Sequence, residues 1–283
     1  MIFATTPAAR IVAVTVTSIA CLFPMLEFAQ AASVAAQGSW QSTLKARDLN
    51  GDKIIDAYYD IELNVTWLKD WNFGAGSAYD TPYGFGSTPA TDGLMIWTDA
   101  FSWTESLSIG AYTGWRLPTM TDTGAPGCDF SFAGGTDCGY NVRTKEGTLI
   151  LSELAHMWYS TLGNKSYCTP GDLNCTTVQV GWGLTNTGPF LNVGTDSYWL
   201  GLPFYTKLYG GDAAWRFGTY DGRQSPSDIY ATFFSAAAVH TGDVGQILEV
   251  PEPAIQLLTA AGLILVISAS KRNRKGKTAR DTR

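Results

Sequence analysis

The sequence predicts an α+β fold with two short helices and a mainly antiparallel sheet. Between Ile55 and Trp67 every odd position is apolar, and a period of two is typical of a half-buried β-strand. Apolar residues follow helical spacing in two segments, 98–107 and 149–162. From 163 to 238, Gly, Asn, Asp and aromatic residues alternate without helical period, which indicates short strands joined by turns.

Each element has a local signal. The segment 55–67 predicts a hairpin that turns around residues 60–64, because polar residues occupy its even positions. Thr98 is placed to cap a helix that reaches Leu107. The second helix is predicted from Leu149 to Leu162, with Gly163 as its stop.

Composition restricts the class of protein. With 283 residues, 45% of them apolar and 16% charged, the chain can bury a sizeable core and is not disordered. Residues 32–248 contain 11 basic and 21 acidic side chains, a net charge of about minus 10. Such a surface repels phosphate backbones, so we expect no nucleic-acid partner.

Residues 1–31 have the order of a secretory signal peptide. Arg10 precedes the apolar run Ile11–Leu26, and Ala29-Gln30-Ala31 supplies a small-x-small cleavage site. A retained membrane anchor is the alternative, which the shortness of the run and Pro24 within it disfavour. Residues 32–248 are therefore predicted to form an exported domain.

The carboxyl end contains a second apolar run. Residues 254–270 are uncharged and just long enough for a transmembrane helix, and a basic segment from Lys271 follows. Positive charge on the cytoplasmic side places residues 32–250 outside the cytoplasm. A buried core helix is the alternative interpretation.

Directly before this run stands Pro251-Glu252-Pro253. A Pro-Glu-Pro tripeptide, an apolar span and a basic cluster, in this order, resemble the PEP-CTERM sorting signal of exopolysaccharide-producing bacteria. The resemblance covers residues 249–275 and leaves 276–283 as a basic cytoplasmic tail. It implies anchoring in the inner membrane, processing by an exosortase-type enzyme at the tripeptide, and release to the cell surface or medium.

Four cysteines lie in the exported part: Cys128, Cys138, Cys168 and Cys175. An even number in an exported chain predicts disulfide bonds, and local pairing of 128 with 138 and of 168 with 175 is the simplest of three connectivities. A four-cysteine metal site is the alternative, but these spacings lack the close Cys-x-x-Cys pairs of tetrahedral zinc.

The landmarks resemble, over about 200 residues, the bacterial Lcl C-terminal domain, a family of unknown function. They are the strand that ends at Trp67, the Trp-containing segment 97–107, the motif Trp115-Arg116-Leu117-Pro118-Thr119, the helix at 152–162 and two late Trp segments. The resemblance implies a C-type lectin-like fold, and the motif also resembles one in formylglycine-generating enzymes. We interpret this motif as structural, with Trp115 in the core and Arg116 as a paired guanidinium.

One group of oxygen-bearing side chains predicts a cation site. Their alternation resembles the first half of an EF-hand or dockerin calcium loop, although Lys53 stands in place of Gly and Tyr59 in place of the bidentate Glu. A turn that opens the hairpin is the alternative interpretation. The four residues are Asp48, Asn50, Asp52 and Asp56.

No catalytic motif is present, and neither His156 nor His240 adjoins a nucleophile or a ligand cluster. We therefore predict a non-enzymatic binding or adhesion module, associated with extracellular polysaccharide in a biofilm matrix, without a cofactor other than calcium. The alternative is a secreted enzyme-like domain related to the formylglycine-generating group, with an unknown substrate.

Overall fold

A computed structural model of the chain describes residues 33–80, 91–204 and 212–248. Within these ranges no helix is long and apolar enough to cross a membrane. The predicted signal peptide (1–31), transmembrane helix (254–270), sorting tripeptide Pro251–Pro253 and basic tail (276–283) lie outside the described residues.

The described chain forms short strands, three short α-helices and one π-helical turn. The helices are α1 (Trp40–Thr43), α2 (Trp97–Ser106) and α3 (Glu153–His156), which continues into the π-helix Met157–Thr161. The strands are β1 (Leu44–Asp48), β2 (Ala57–Asp60), β3 (Val65–Leu68), β4 (Trp115–Arg116), β5 (Phe130–Ser131), β6 (Cys138–Gly139), β7 (Lys145–Glu146), β8 (Leu149–Ile150), β9 (Ser197–Phe204), β10 (Ala213–Gly218), β11 (Arg223–Asp228), β12 (Val239–Thr241) and β13 (Gln246–Ile247).

Two sheets dominate the architecture. The larger has the strand order β13-β1-β2-β3-β12-β4, and all its pairs are antiparallel. The second has the order β5-β6-β11-β10-β9 and is antiparallel except between β5 and β6. Strands β7 and β8 form a separate two-stranded ladder. This confirms the predicted α+β class with mainly antiparallel sheets.

The predicted hairpin is confirmed, but its burial differs from the prediction. Strands β2 and β3 pair around a turn at residues 61–64. Instead of one buried face, both faces contribute to hydrophobic clusters, with Tyr58 and Trp67 in one and Ala57 and Leu68 in the other. The hairpin lies inside a six-stranded sheet that is covered on both sides, whereas Ile61, at the turn, is 50% exposed.

Both predicted helices are present, but each begins at a different residue from the one predicted. Helix α2 begins at Trp97, with Ile96 as N-cap, so Thr98 lies within the helix and does not cap it. Trp97 is fixed there because its Nε1 donates to the carbonyl of Leu200, 2.8 Å away.

The helix predicted from Leu149 begins later. Leu149 and Ile150 form β8 instead, and the Ser152 hydroxyl accepts a hydrogen bond from the amide of Ala155 as N-cap of α3. The predicted stop is confirmed, since Gly163 has φ of 70° and a Cβ there would lie 2.5 Å from the backbone nitrogen of Gly38.

Candidate functional site

The predicted cation ligands lie together in a loop after β1, residues 48–56, hereafter the acidic loop. One carboxylate oxygen each from Asp48, Asp52 and Asp56 lies within 4.8 Å of the other two. Lys53, which replaces the expected Gly, takes the left-handed conformation with φ of 68°, so the backbone there follows the path that Gly would allow. Carboxylate oxygens are ligands that calcium prefers.

The loop already uses many of these oxygens in its own hydrogen bonds. Asp48 Oδ1 accepts from the amides of Asn50 and Gly51, and its Oδ2 accepts from that of Lys53. Burial, the largest single influence, raises the pKa of Asp48, but these amides together with that of Asp52 outweigh it, so the pKa is lowered. The amides therefore stabilise the carboxylate form, and calcium binding stays a prediction for this loop.

The motif Trp115–Thr119 is built into the core. Trp115 and Leu117 are each 1% exposed. The guanidinium of Arg116 donates two hydrogen bonds to Glu153, with N···O distances of 2.7 and 2.8 Å. The same carboxylate accepts from the amide of Thr119 at 2.8 Å. These contacts join β4 to the start of α3.

Both disulfide bonds predicted from the cysteines are present, Cys128–Cys138 and Cys168–Cys175. Each closes a short loop, and the two loops contact one another. The amide of Gly171 in the second loop donates to the carbonyl of Ala133 in the first, 2.9 Å away. The disulfides therefore hold two neighbouring segments of irregular backbone.

Asn141 joins the two loops through its side chain. Its Nδ2 donates to the carbonyl of Cys168 at 2.9 Å and to that of Phe132 at 3.3 Å. Its own amide donates to the hydroxyl of Tyr159 on the π-helix, and this hydroxyl donates in turn to the carbonyl of Gly222. The loops are thus fixed to each other and to the buried π-helix.

Five aromatic rings lie on and beside these loops in consecutive contact, and we call them the aromatic surface. Centroid distances between successive rings are 4.9, 6.0, 6.4 and 4.8 Å. Three of the rings are well exposed, by 43%, 37% and 40% for Phe130, Phe132 and Trp182. In order, the surface comprises Phe130, Phe132, Tyr140, Tyr167 and Trp182.

Polar groups border the aromatic surface at Tyr140. Its hydroxyl donates to Asp221 Oδ2 at 3.2 Å. Burial and, secondly, the charge of Asp221 raise the pKa of Tyr140 to about 12, so it remains a neutral donor at physiological pH. Tyr220, next in the chain to Asp221, is 44% exposed.

A buried carboxylate supports the first disulfide loop from inside. Asp137 is 3% exposed, and its two oxygens accept from the amides of Thr123 and Asp129. Burial, together with the charge and hydrogen bond of Asp122, raises the pKa of Asp137 to about 6 despite these amides. This carboxyl therefore titrates close to neutral pH.

Sequence reasoning found the cysteines but missed the aromatic surface. Its members are far apart in the sequence, and Tyr167 and Trp182 belong to the aperiodic region from 163 to 238. One signal was available, because Phe130, Phe132, Tyr140 and Tyr167 all lie between paired cysteines or within two residues of one.

Comparisons of the chain with protein-family models, with curated proteins and with solved structures found no match.

Proposed function

We propose that this protein is an exported, non-enzymatic binding or adhesion module that acts in the extracellular polysaccharide of a biofilm matrix. The aromatic surface is the observation that carries this proposal. Aromatic rings offer large apolar faces at little conformational cost, and such faces can stack on the apolar faces of sugar rings. Three exposed rings in one contiguous row supply a surface of this kind.

The disulfide loops support the same proposal. A binding surface is effective when its side chains are held before the ligand arrives, because less conformational entropy is then lost on binding. Two disulfides, the Gly171–Ala133 backbone contact and the side chain of Asn141 hold these loops. Disulfides also suit an oxidising compartment, in agreement with export.

The sorting of the protein belongs to the proposal as well. We propose that residues 1–31 direct export, that residues 254–270 anchor the chain in the inner membrane, and that an exosortase-type enzyme processes it at Pro251-Glu252-Pro253. We also propose a C-type lectin-like fold for the exported domain. Its mainly antiparallel sheets and short helices support this proposal.

A glycan array tests the binding function. The exported full-length chain, purified in detergent, is expected to bind a subset of bacterial polysaccharides without turning them over. Trp182→Ala is expected to weaken that binding at least about tenfold, because it removes an exposed ring that contacts Tyr167.

Tyr230→Ala is the matched control. Tyr230 is also exposed, by 59%, but lies outside the aromatic surface, and its loss is expected to leave binding unchanged. Absence of binding to every polysaccharide, or equal losses in both variants, would contradict the proposed function.

A further inference from the structure

Two arginines project from one face of the hairpin formed by β10 and β11. Residue Arg216 lies two positions from Gly218, and Gly218 is paired with Arg223 across the hairpin. Residues two apart on a strand, and residues directly opposite in a pair, share a face of the sheet. The other face carries Trp215 and Phe217, both fully buried in the core.

The missing side chain at Gly218 leaves room beside Arg216. A Cβ at this position would lie 3.2 Å from a terminal nitrogen of Arg216, 3.2 Å from the ring of Tyr220 and 2.8 Å from a carboxylate oxygen of Asp221. Three different side chains therefore converge where position 218 has none.

Each guanidinium also lies over an aromatic ring. The Cζ atom of Arg223 is 5.3 Å from the ring centroid of Phe130, which belongs to the aromatic surface. The Cζ atom of Arg216 is 5.6 Å from that of Phe234. We call Arg216, Arg223, Tyr220 and Phe130 the arginine face, which adjoins the aromatic surface through the shared ring of Phe130.

The two guanidinium groups use little of their hydrogen-bonding capacity. Arg216 donates from Nη1 to the hydroxyl of Ser197 at 2.9 Å. In the part of the chain that the structure describes, Nε of Arg216 and Nε of Arg223 are shielded from solvent and have no partner. An arginine carries five N–H donors in a planar fork, so the terminal Nη groups of this pair keep donors for a ligand, whereas the two shielded Nε groups do not.

The other arginines of the described ranges differ, because each forms an ion pair with a carboxylate. Within those same ranges Arg216 and Arg223 form none. The three ion pairs are Arg47–Asp243, Arg116–Glu153 and Arg143–Glu146.

Asp221 places a negative charge beside the two guanidinium groups, but within the described residues it forms no ion pair with either of them. Both oxygens of Asp221 are engaged, one by the amide of Arg223 at 3.0 Å and the other by the hydroxyl of Tyr140 at 3.2 Å. Burial lowers the pKa of Arg216, yet a guanidinium remains protonated in proteins. The domain has a net charge of about minus 10, so binding of a carboxylate here depends on direct hydrogen bonds from the two guanidinium groups and not on the field of the whole domain.

We infer that the arginine face binds carboxylate groups of an acidic polysaccharide, while the adjoining exposed rings pack against its sugar units. The planar fork of arginine matches a carboxylate and can bind it through two parallel hydrogen bonds. Phe130 and Tyr220, exposed by 43% and 44%, stand beside the guanidinium groups. This inference rests on the proposed polysaccharide-binding function and adds the charge class of the ligand.

The experiment compares polygalacturonate with its fully methyl-esterified form, which has the same sugar backbone without the charge. Binding by the full-length protein is measured by calorimetry in EDTA, so that calcium cannot bridge the acidic loop to the polymer. We expect binding to polygalacturonate to exceed binding to the ester at least about tenfold. Arg223→Gln and Arg216→Gln are each expected to remove most of that difference.

Two further variants distinguish binding by the guanidinium groups from a general effect of charge and from a failure to fold. Lys45→Gln removes the same charge from an exposed position on β1 of the other sheet and is expected to leave binding unchanged. Arg223→Lys keeps the charge without the planar fork and is expected to weaken binding to the acid form only. It also provides the test if the glutamine variants do not fold.

The outcomes distinguish this inference from the proposed function. Equal binding of the acid and the ester, reduced by Trp182→Ala but not by Arg223→Gln or Arg223→Lys, would overturn the arginine inference and leave the proposed function intact. Equal losses in Lys45→Gln and Arg223→Gln would also overturn it. Absence of binding to either polymer and to every polysaccharide of the array would overturn both.

Discussion

The acidic loop and the disulfide loops that carry the aromatic surface both have irregular backbone. The side chains of the acidic loop bind their own backbone, whereas the rings of the aromatic surface face solvent. In the acidic loop, Asp48 is 1% exposed and its oxygens accept three backbone amides of the loop itself. In the aromatic surface, covalent bonds and Asn141 hold the backbone. The rings of Phe130 and Trp182 remain exposed to solvent.

This difference shows what a cluster of functional residue types does and does not indicate. Polar groups that form a loop's own hydrogen bonds stabilise that loop, and their presence alone does not indicate a ligand. Exposed aromatic rings leave apolar area in contact with water, so their collection on a rigid surface favours an external partner.

Among changes within these two regions, the largest expected effect is the loss of a disulfide beneath the aromatic surface. Cys128→Ala with Cys138→Ala is expected to lower the free energy of unfolding by about 2–3 kcal/mol, because the unfolded chain regains the entropy of the open loop. The melting temperature, measured by calorimetry, is expected to fall by roughly 4–12 °C. A double variant as stable as the oxidised wild type would contradict a supporting role for this bond.

The dependence of stability on pH should have opposite signs in the two regions. The pKa of Asp137 is raised from its ordinary value of 3.8 to about 6, so its stabilising contribution is fully present below about pH 4 and is lost as the pH rises through 6. The pKa of Asp48 is lowered, so its contribution is present above pH 3.8 and is lost as the pH falls through the lower value.

Urea unfolding at pH 4 to 7.5 measures the Asp137 contribution. We expect the contribution of Asp137 to the free energy of unfolding to fall by about 1–2 kcal/mol over this range. Asp137→Asn is expected to remove this part of the pH dependence. If the free energy of unfolding of the variant depends on pH as that of the wild type does, another group is responsible for the change.

The sequence correctly predicted features that depend on residues close to one another along the chain. The hairpin at 55–67 and the stop at Gly163 follow from local patterns. The two disulfides follow from the spacing of the cysteines along the chain. In each case the partners are close in sequence.

Features that depend on distant contacts were not predictable in this way. The start of α2 is set by the contact of Trp97 with Leu200, 103 residues away. The arginine face depends on the β10–β11 register, and the contact of Arg223 with Phe130 joins residues that are far apart in the sequence. Periodicity describes the neighbours of a residue along the chain and carries no information about such pairings.

A smaller effect is expected from Asp48→Asn. The variant keeps one side-chain oxygen but loses the acceptor for the amide of Lys53, so the melting temperature is expected to fall by about 2–4 °C. The fall should be the same in EDTA and in millimolar calcium, because the amides require no cation. Asp52→Asn is the control, since Asp52 is exposed and accepts from Ile54 through one oxygen that Asn retains.

If instead EDTA destabilises the wild type as much as Asp48→Asn does, a cation and not the amides holds the acidic loop. The contrast between the two regions would then be wrong for this loop, and the calcium prediction would be confirmed.

The smallest expected effect on stability is that of Trp182→Ala. Trp182 is 40% exposed, and its ring contacts that of Tyr167 at 4.8 Å. Little buried apolar area is therefore lost, and the melting temperature should fall by less than about 2 °C. Trp158→Ala is the matched control, because Trp158 is fully buried in the core and its loss should cost about 3–5 kcal/mol. A large destabilisation by Trp182→Ala would mean that the ring serves the fold, and its exposure would then no longer favour a ligand.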